Sequence, residues 1–229
     1  MYFSLITPSP GNERDALHQR LDSPYADHQW LWNWFPAADG APRDFLFRQH
    51  ETDGALRFYV VSRRPPVEEM GAWQARTRDY APRMAAGDRL HFELRANPTV
   101  RHGRDGKSKR HDVVMEAKKK MLAEHGVARW ADWTGVEKPN SQDVAQVACA
   151  AWLQRRTDRL GFLLDPETLL VEGYEQHREK PDQMLRTSTV ELTGQLTVTD
   201  PEAFSHALLN GVGSAKAFGC GLLLVRRLD

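Results

Sequence analysis

Cysteine is scarce in this chain: Cys149 and Cys220 are the only two in 229 residues, each inside an apolar run, AQVACAAWL and AFGCGLLL. Two isolated thiols exclude a disulfide framework and a cysteine-built zinc site, and they suit a reducing compartment. Long apolar runs are missing as well. None approaches the roughly 18 residues that span a bilayer, so no membrane association is expected. The start, MYFSLITPSPGNERDALHQ, has neither the basic n-region nor the apolar stretch of a secretory signal. A soluble cytoplasmic protein is the expectation. Charge of one sign is not in excess either, with 31 Lys and Arg against 31 Asp and Glu. A generally polybasic protein is excluded, and any nucleic-acid surface must come from local clustering. The H-x-x-E-H pattern is absent and HDVVMEAK is a poor ligand set, so neither a metal nor a cofactor is expected.

What is present is enough apolar residue, 41%, to fill one large domain or two small ones. YFSLIT, residues 2–7, reads as a strand. Ser23 and Pro24 then open a helix, as N-cap and first helical position, that runs through YADHQWLWNWF to Pro36. DFLFRQ (44–49) and LRFYVVS (56–62) read as paired strands around Asp53-Gly54. A helix is expected near 67–79, and RLHFELRA (89–96) alternates with period 2. The order is β-α-β-β-α-β.

The second half allows the same reading. HDVVM (111–115) is a weak strand and QDVAQVACAAWLQRRTDRL (142–160) a strong helix. FLLDPETLLVEGYE (162–175) and LRTSTVELTGQLTVT (185–199) are strand-like. A helix follows Asp200-Pro201, and GLLLVRR closes the chain. The fold class expected is α+β, with two tandem ferredoxin-like domains. Their expected bounds are 1–98 and 111–229, joined by a basic linker at 99–110.

Three stretches invite a chemical reading. Residues 101–120, RHGRDGKSKRHDVVMEAKKK, hold eight Lys and Arg against three Asp and Glu; they are either a solvated linker or a surface for a phosphate backbone. Gly211 to Val225, GVGSAKAFGCGLLLV, clusters glycines around Lys216. Such a loop serves as a tight connection between helix and strand, or as a cradle for an anion. It matches neither nucleotide loop: no Walker G-x-x-x-x-G-K-[ST] is present, and Ala215 replaces the third glycine of the dinucleotide fingerprint. In SPYADHQWLW, Tyr25 and His28 stand three apart on one helical face, which Trp32 and Phe35 continue. A histidine on an aromatic helix is a packed residue or a proton-transfer group, and His18 is a rival with less around it.

Read together, YADHQWLWNWFP, FELRANP and GVGSAKAFGCGLL resemble the CasE family, the repeat-RNA endoribonucleases of type I-E CRISPR systems. The matching positions are Met1-Tyr2, Tyr25, His28, Trp32, Phe35-Pro36, Phe92, Leu94 to Pro98, Gly211, Gly213, Lys216, Gly219 and Gly221. They run in order from the first residue almost to the last. PGNERDALHQRLDS departs from the pattern by lengthening the lead-in to the helix.

The resemblance implies two ferredoxin-like domains and metal-independent cleavage of a CRISPR repeat RNA hairpin to mature crRNA. Its products are a 2′,3′-cyclic phosphate and a 5′-hydroxyl, and other Cascade subunits are implied partners. It makes His28 the proton-transfer group, as base or as acid, because imidazole titrates near neutrality. Tyr25 becomes its helper. Gly211, Gly213, Lys216 and Gly219 would shape an RNA surface beside the site. Arg101, Arg104, Lys107, Lys109 and Arg110 would add phosphate contacts. A basic hairpin within EQHREKPDQMLRTS would meet the stem through Arg178, Lys180 and Arg186. One alternative is a subunit that holds guide RNA without cutting. Another is an RNA-recognition module with base-stacking aromatics, but neither RDFLFRQH nor LRFYVVSR supplies the required strand.

Overall fold

The computed structural model describes residues 1–19, 24–38, 40–52, 55–104, 107–180 and 183–228, without the side chains of 24–26, 52, 104, 107–108, 178–180 and 183–186. In chain order the elements are β1 (Tyr2–Pro8), α1 (Glu13–His18), α2 (Pro24–Trp32), β2 (Phe45–Thr52) and β3 (Ala55–Ser62). There follow β4 (Glu69–Met70), β5 (Trp73–Asp79), β6 (Arg89–Ala96), β7 (Thr99–Arg104), β8 (Lys107–Asp112) and α3 (Val113–Glu124). The rest comprises α4 (Ser141–Gln154), α5 (Thr157–Leu160), β9 (Phe162–Leu164), β10 (Leu170–Lys180), β11 (Gln183–Val198), α6 (Pro201–Asn210) and β12 (Leu223–Arg227). Short 3₁₀ turns lie at Trp130–Asp132 and Lys216–Phe218.

These elements form two compact units, and both are discontinuous in sequence. The first holds Met1–Met84 with Ser205–Leu223, the second Ala85–Phe204 with Leu224–Asp229. The first unit has the sheet order β2-β3-β1-β5-β4, with antiparallel pairing of β2 to β3, β3 to β1 and β1 to β5. Counting β5 as the fourth strand, this is the ferredoxin-like order 2-3-1-4. Its core gathers Ile6, Leu31, Trp34, Phe35, Phe45, Phe47, Phe58, Val60 and Trp73. Phe35 stacks on Phe45 at 4.7 Å, and Trp30 meets Trp73 at 5.0 Å. The positions 31, 34 and 35 share one face of α2 and its continuation, which turns the other face outward.

The helix expected near 67–79 is instead a β-hairpin. Gly71, at φ +58°, makes the turn that a side chain would strain, and β5 pairs with β1 from Trp73 opposite Pro8 to Asp79 opposite Tyr2. Backbone pairing along β1 outweighs the helix-like spacing of the charges. The Ser4 and Thr77 hydroxyls hydrogen-bond across the pair at 2.9 Å.

In the second unit the sheet order is β10-β11-β6-β12, with β9 also on β11. This is again 2-3-1-4. RLHFELRA therefore opens the second sheet and does not close the first: β6 pairs with β11 from Arg89 opposite Thr197 to Ala96 opposite Val190. Its residues alternate between buried and less buried, and Leu90, Phe92, Leu94 and Ala96 are in the core. The boundary expected at 98/99 thus falls elsewhere, and 205–223 belongs with the first unit.

The segment expected as a linker is a two-stranded ribbon, β7 against β8, with Arg101 opposite Arg110 and His102 opposite Lys109. The presumed strand HDVVM is the end of β8 and the start of α3. Asp112 caps that helix, accepting from the Met115 amide at 2.8 Å, and its carboxylate also takes the Tyr174 hydroxyl at 3.0 Å and the Ser188 hydroxyl. Burial, together with that carboxylate, pushes the Tyr174 phenol well above its ordinary pKa. Cys149 is buried on α4, and desolvation, with a smaller push from the Asp112 charge, raises its thiol pKa to about 12. Neither cysteine is in a disulfide.

Candidate active site

α2 carries His28 one turn before Trp32, and that spacing lets the two side chains meet. The Trp32 indole N–H donates to His28 Nε2 at 3.0 Å. Phe45 and Phe47, alternate residues of β2, face the same imidazole. Their ring centroids lie 6.2 and 6.5 Å away, with Phe47 nearly parallel to it. The imidazole is half-buried, and its Nδ1 is closed off from solvent without a hydrogen-bond partner among the described residues.

This arrangement selects a protonation state. A nitrogen that accepts an indole proton cannot carry one, so the neutral ring bears its hydrogen on Nδ1. Burial lowers the pKa of His28, and the positive charge of Arg43 lowers it further. At neutral pH the ring is therefore an uncharged donor through Nδ1–H. To gain or lose a second proton, Nε2 must release the indole.

Arg43 was not among the residues the sequence singled out. It stands two positions before Phe45, is half-buried, and its Nη1 has no partner among the described residues. Its charge also lowers the pKa of Lys216, second to the effect of burial. The only hint in the sequence is its place in RDFLF, at the mouth of an apolar strand, where an arginine usually reads as solvated. Trp32 was visible four residues after His28, but its hydrogen bond was not.

The glycine loop packs within this same unit, with the 3₁₀ turn Lys216–Phe218 against α2 and β2. Gly219 has φ +73°, and a Cβ there would stand 3.1 Å from Phe47 Cε2, the ring that lies along His28. A Cβ on Gly211, at φ +78°, would stand 2.9 Å from both the Gly221 carbonyl and Leu46 Cδ1. These glycines serve close approach. Lys216 Nζ donates to the carbonyl of Asn210 at 2.6 Å, so it caps the C-terminus of α6. The connection between helix and strand is therefore a real part of what this loop does.

Tyr25 lies on α2, three residues before His28, but its side chain is outside the described residues. His18 ends α1 and is exposed. Arg101, Lys109 and Arg110 are exposed on the ribbon of the second unit, and His102 Nε2 meets Glu116 at 2.9 Å. Arg104 and Lys107 are also on the ribbon, with undescribed side chains. The same holds for Arg178, Lys180 and Arg186, whose backbones sit near the turn of the β10–β11 hairpin, Arg178 opposite Arg186. Among the described residues no three His, Cys, Asp or Glu side chains gather as metal ligands. Among the described residues no helix is long and apolar enough to cross a membrane.

Fold and site together define an α+β protein with two ferredoxin-like sheets and an imidazole set among aromatic rings and beside the charge of Arg43. The family described as CRISPR associated protein matches residues 1–227. The chain is 32% identical over 245 residues to the CRISPR-associated endoribonuclease Cse3 of Thermus thermophilus, covering 98% of this chain and 99% of that one. It is 27% identical over 225 residues to the CRISPR system Cascade subunit CasE of Escherichia coli (strain K12), covering 97% and 98%. A solved structure of CRISPR endoribonuclease Cse3 bound to 19 nt RNA is similar with a TM-score of 0.66 and 25% identity, covering 99% of this chain and 100% of that chain. The chain belongs to this CRISPR-associated protein family.

Proposed function

We propose that this protein is an endoribonuclease that cuts CRISPR repeat RNA at its hairpin and keeps the mature crRNA as a cytoplasmic Cascade subunit. The observation that carries the reading is the His28 imidazole, its Nδ1 unpartnered and with Arg43 close enough to act on it, in a chain aligned almost end to end with a named endoribonuclease. The relative named as a Cascade subunit supports the assembly.

The reaction is an internal transesterification that needs no metal. The 2′-oxygen bonds to phosphorus, the bond from phosphorus to the 5′-oxygen breaks, and the proton of the 2′-hydroxyl finishes on the 5′-oxygen. His28 exchanges protons in this step. Tyr25, one turn away on the same helix, donates a hydrogen bond from its hydroxyl to the phosphate. Lys216 contributes positive charge from the glycine loop, and Gly211, Gly213 and Gly219 let that loop lie close. Arg101, Arg104, Lys107, Lys109 and Arg110 hold phosphates along the backbone. Arg178, Lys180 and Arg186 read the stem from their hairpin.

The test is cleavage of the cognate repeat RNA in excess EDTA by native protein and by His28→Ala. Native cutting should survive chelation, and the variant should be slower by about 10²-fold or more. RNA that is bound and left whole by native protein would make this a guide-RNA holder.

A further inference from the structure

We propose that Arg43 is a catalytic residue that grips a non-bridging oxygen of the scissile phosphate, beside the donor on His28. The assignment rests on the endoribonuclease reading and adds to it a group that neither the resemblance nor the helix pattern indicated.

Position supports it first. Arg43 leads directly into β2, and that strand supplies Phe45 and Phe47, the rings that line the His28 imidazole. A side chain at the lip of the strand is thereby fixed near the reacting centre by the same backbone that builds it.

The second support is unmet hydrogen bonding. Arg43 Nη1 and His28 Nδ1 are both closed off from solvent, and neither has a partner among the described residues. A guanidinium is charged at every physiological pH, and a sheltered donor without an acceptor costs free energy. The adjacent carboxylate does not meet that need: Asp44 Oδ2 is held by Arg64 Nε at 2.7 Å, and Asp44 Oδ1 has no hydrogen-bond partner among the described residues, Arg43 included. Arg64 also donates to the carbonyl of Phe35 at 2.9 Å and to that of Pro36. Among the described residues Arg43 has no ion pair.

The third support is the balance of charge. From the segment before β2 comes Arg43, and from the 3₁₀ turn comes Lys216, each lowered in pKa first by burial. On α2, next to His28 in sequence, Asp27 is buried and is itself held in an interaction. Two crowded cations and a neutral imidazole favour an anion. A phosphodiester brings one negative charge, and attack by the 2′-oxygen builds a second on the non-bridging oxygens. The planar fork of arginine fits two such oxygens and binds the more highly charged state more strongly. That differential binding accelerates the step.

The experiment is single-turnover cleavage of repeat RNA with either diastereomer of a phosphorothioate at the scissile position. Native protein should be slowed by sulfur in one diastereomer and much less in the other. Arg43→Gln should cut the unmodified RNA about 10²–10³-fold more slowly, bind uncleavable 2′-deoxy RNA within tenfold of native, and lose the distinction between diastereomers. Arg43→Lys should recover part of the rate. Native cutting matched by Arg43→Gln would overturn the assignment alone, and so would a slow variant that keeps the native sulfur effect. A variant whose rate loss is matched by its loss of binding also overturns it. Native protein that leaves the RNA whole would overturn the endoribonuclease reading and this assignment with it.

Discussion

Burial, the Arg43 charge and one hydrogen bond from Trp32 together set how His28 behaves. The indole N–H on Nε2 stabilises the neutral ring and fixes its proton on Nδ1, while burial and the Arg43 charge act in the same direction. Trp32→Phe keeps an aromatic ring for the edge-on packing with Phe45, centroids 5.5 Å apart, and removes the donor along with part of the indole's volume. The sign follows whichever proton His28 moves. If the neutral ring is active, the rate rises with pH through its pKa; if the protonated ring is active, the rate falls through it. Loss of the indole raises that pKa, so in either case the His28-dependent limb of the pH profile moves to higher pH in Trp32→Phe. A limb left in place would show that the hydrogen bond does not tune the site. At this scale the sequence was informative about His28 and Trp32, because helical spacing puts positions four apart together. It was silent on Arg43, whose importance depends on what surrounds it in space.

The element with the clearest burden of charge is the ribbon of β7 and β8. Arg101 faces Arg110 across it and His102 faces Lys109. Like charges opposite one another destabilise a strand pair. A polyanion relieves that repulsion, which supports the ribbon as part of the RNA surface. Replacing Arg101 and Arg110 together by Gln should weaken repeat-RNA binding and flatten the salt dependence of log Kd by about one for each phosphate no longer neutralised. Measured by titration from low to moderate salt, an unchanged slope would remove these two residues from the interface. Composition marked this stretch as basic but could not tell ribbon from linker, since strand pairing is chosen by partners outside the local window. The same limit turned 67–79 into an expected helix: nothing local says that β1 needs β5 along its edge.

Across the whole chain, two sheets of the same order are built from interleaved segments. Residues 205–223 complete the first unit, and β6 begins the second. A fragment ending at residue 98 would carry β6 without β11 and would lack the glycine loop, so it should show no cooperative thermal transition by circular dichroism. A sharp transition with native-like ellipticity would contradict the division. The α+β class and the presence of two like sheets were legible in the periodicity of the strands, because alternation records burial on one face; the helix expected at 67–79 and the strand expected at 111–115 were not found. Which sheet received each strand was not legible, because that is settled by pairing between residues about a hundred apart.

The most direct test of the mechanism is the chemistry of the cut ends. Native protein would be incubated with repeat RNA that is either all-ribose or carries one 2′-deoxy at the scissile nucleotide, and the fragments identified by mass. Transesterification predicts a 2′,3′-cyclic phosphate and a 5′-hydroxyl from the first RNA and no cutting of the second. A 3′-hydroxyl with a 5′-phosphate, or cleavage of the deoxy RNA at the same position, would contradict it.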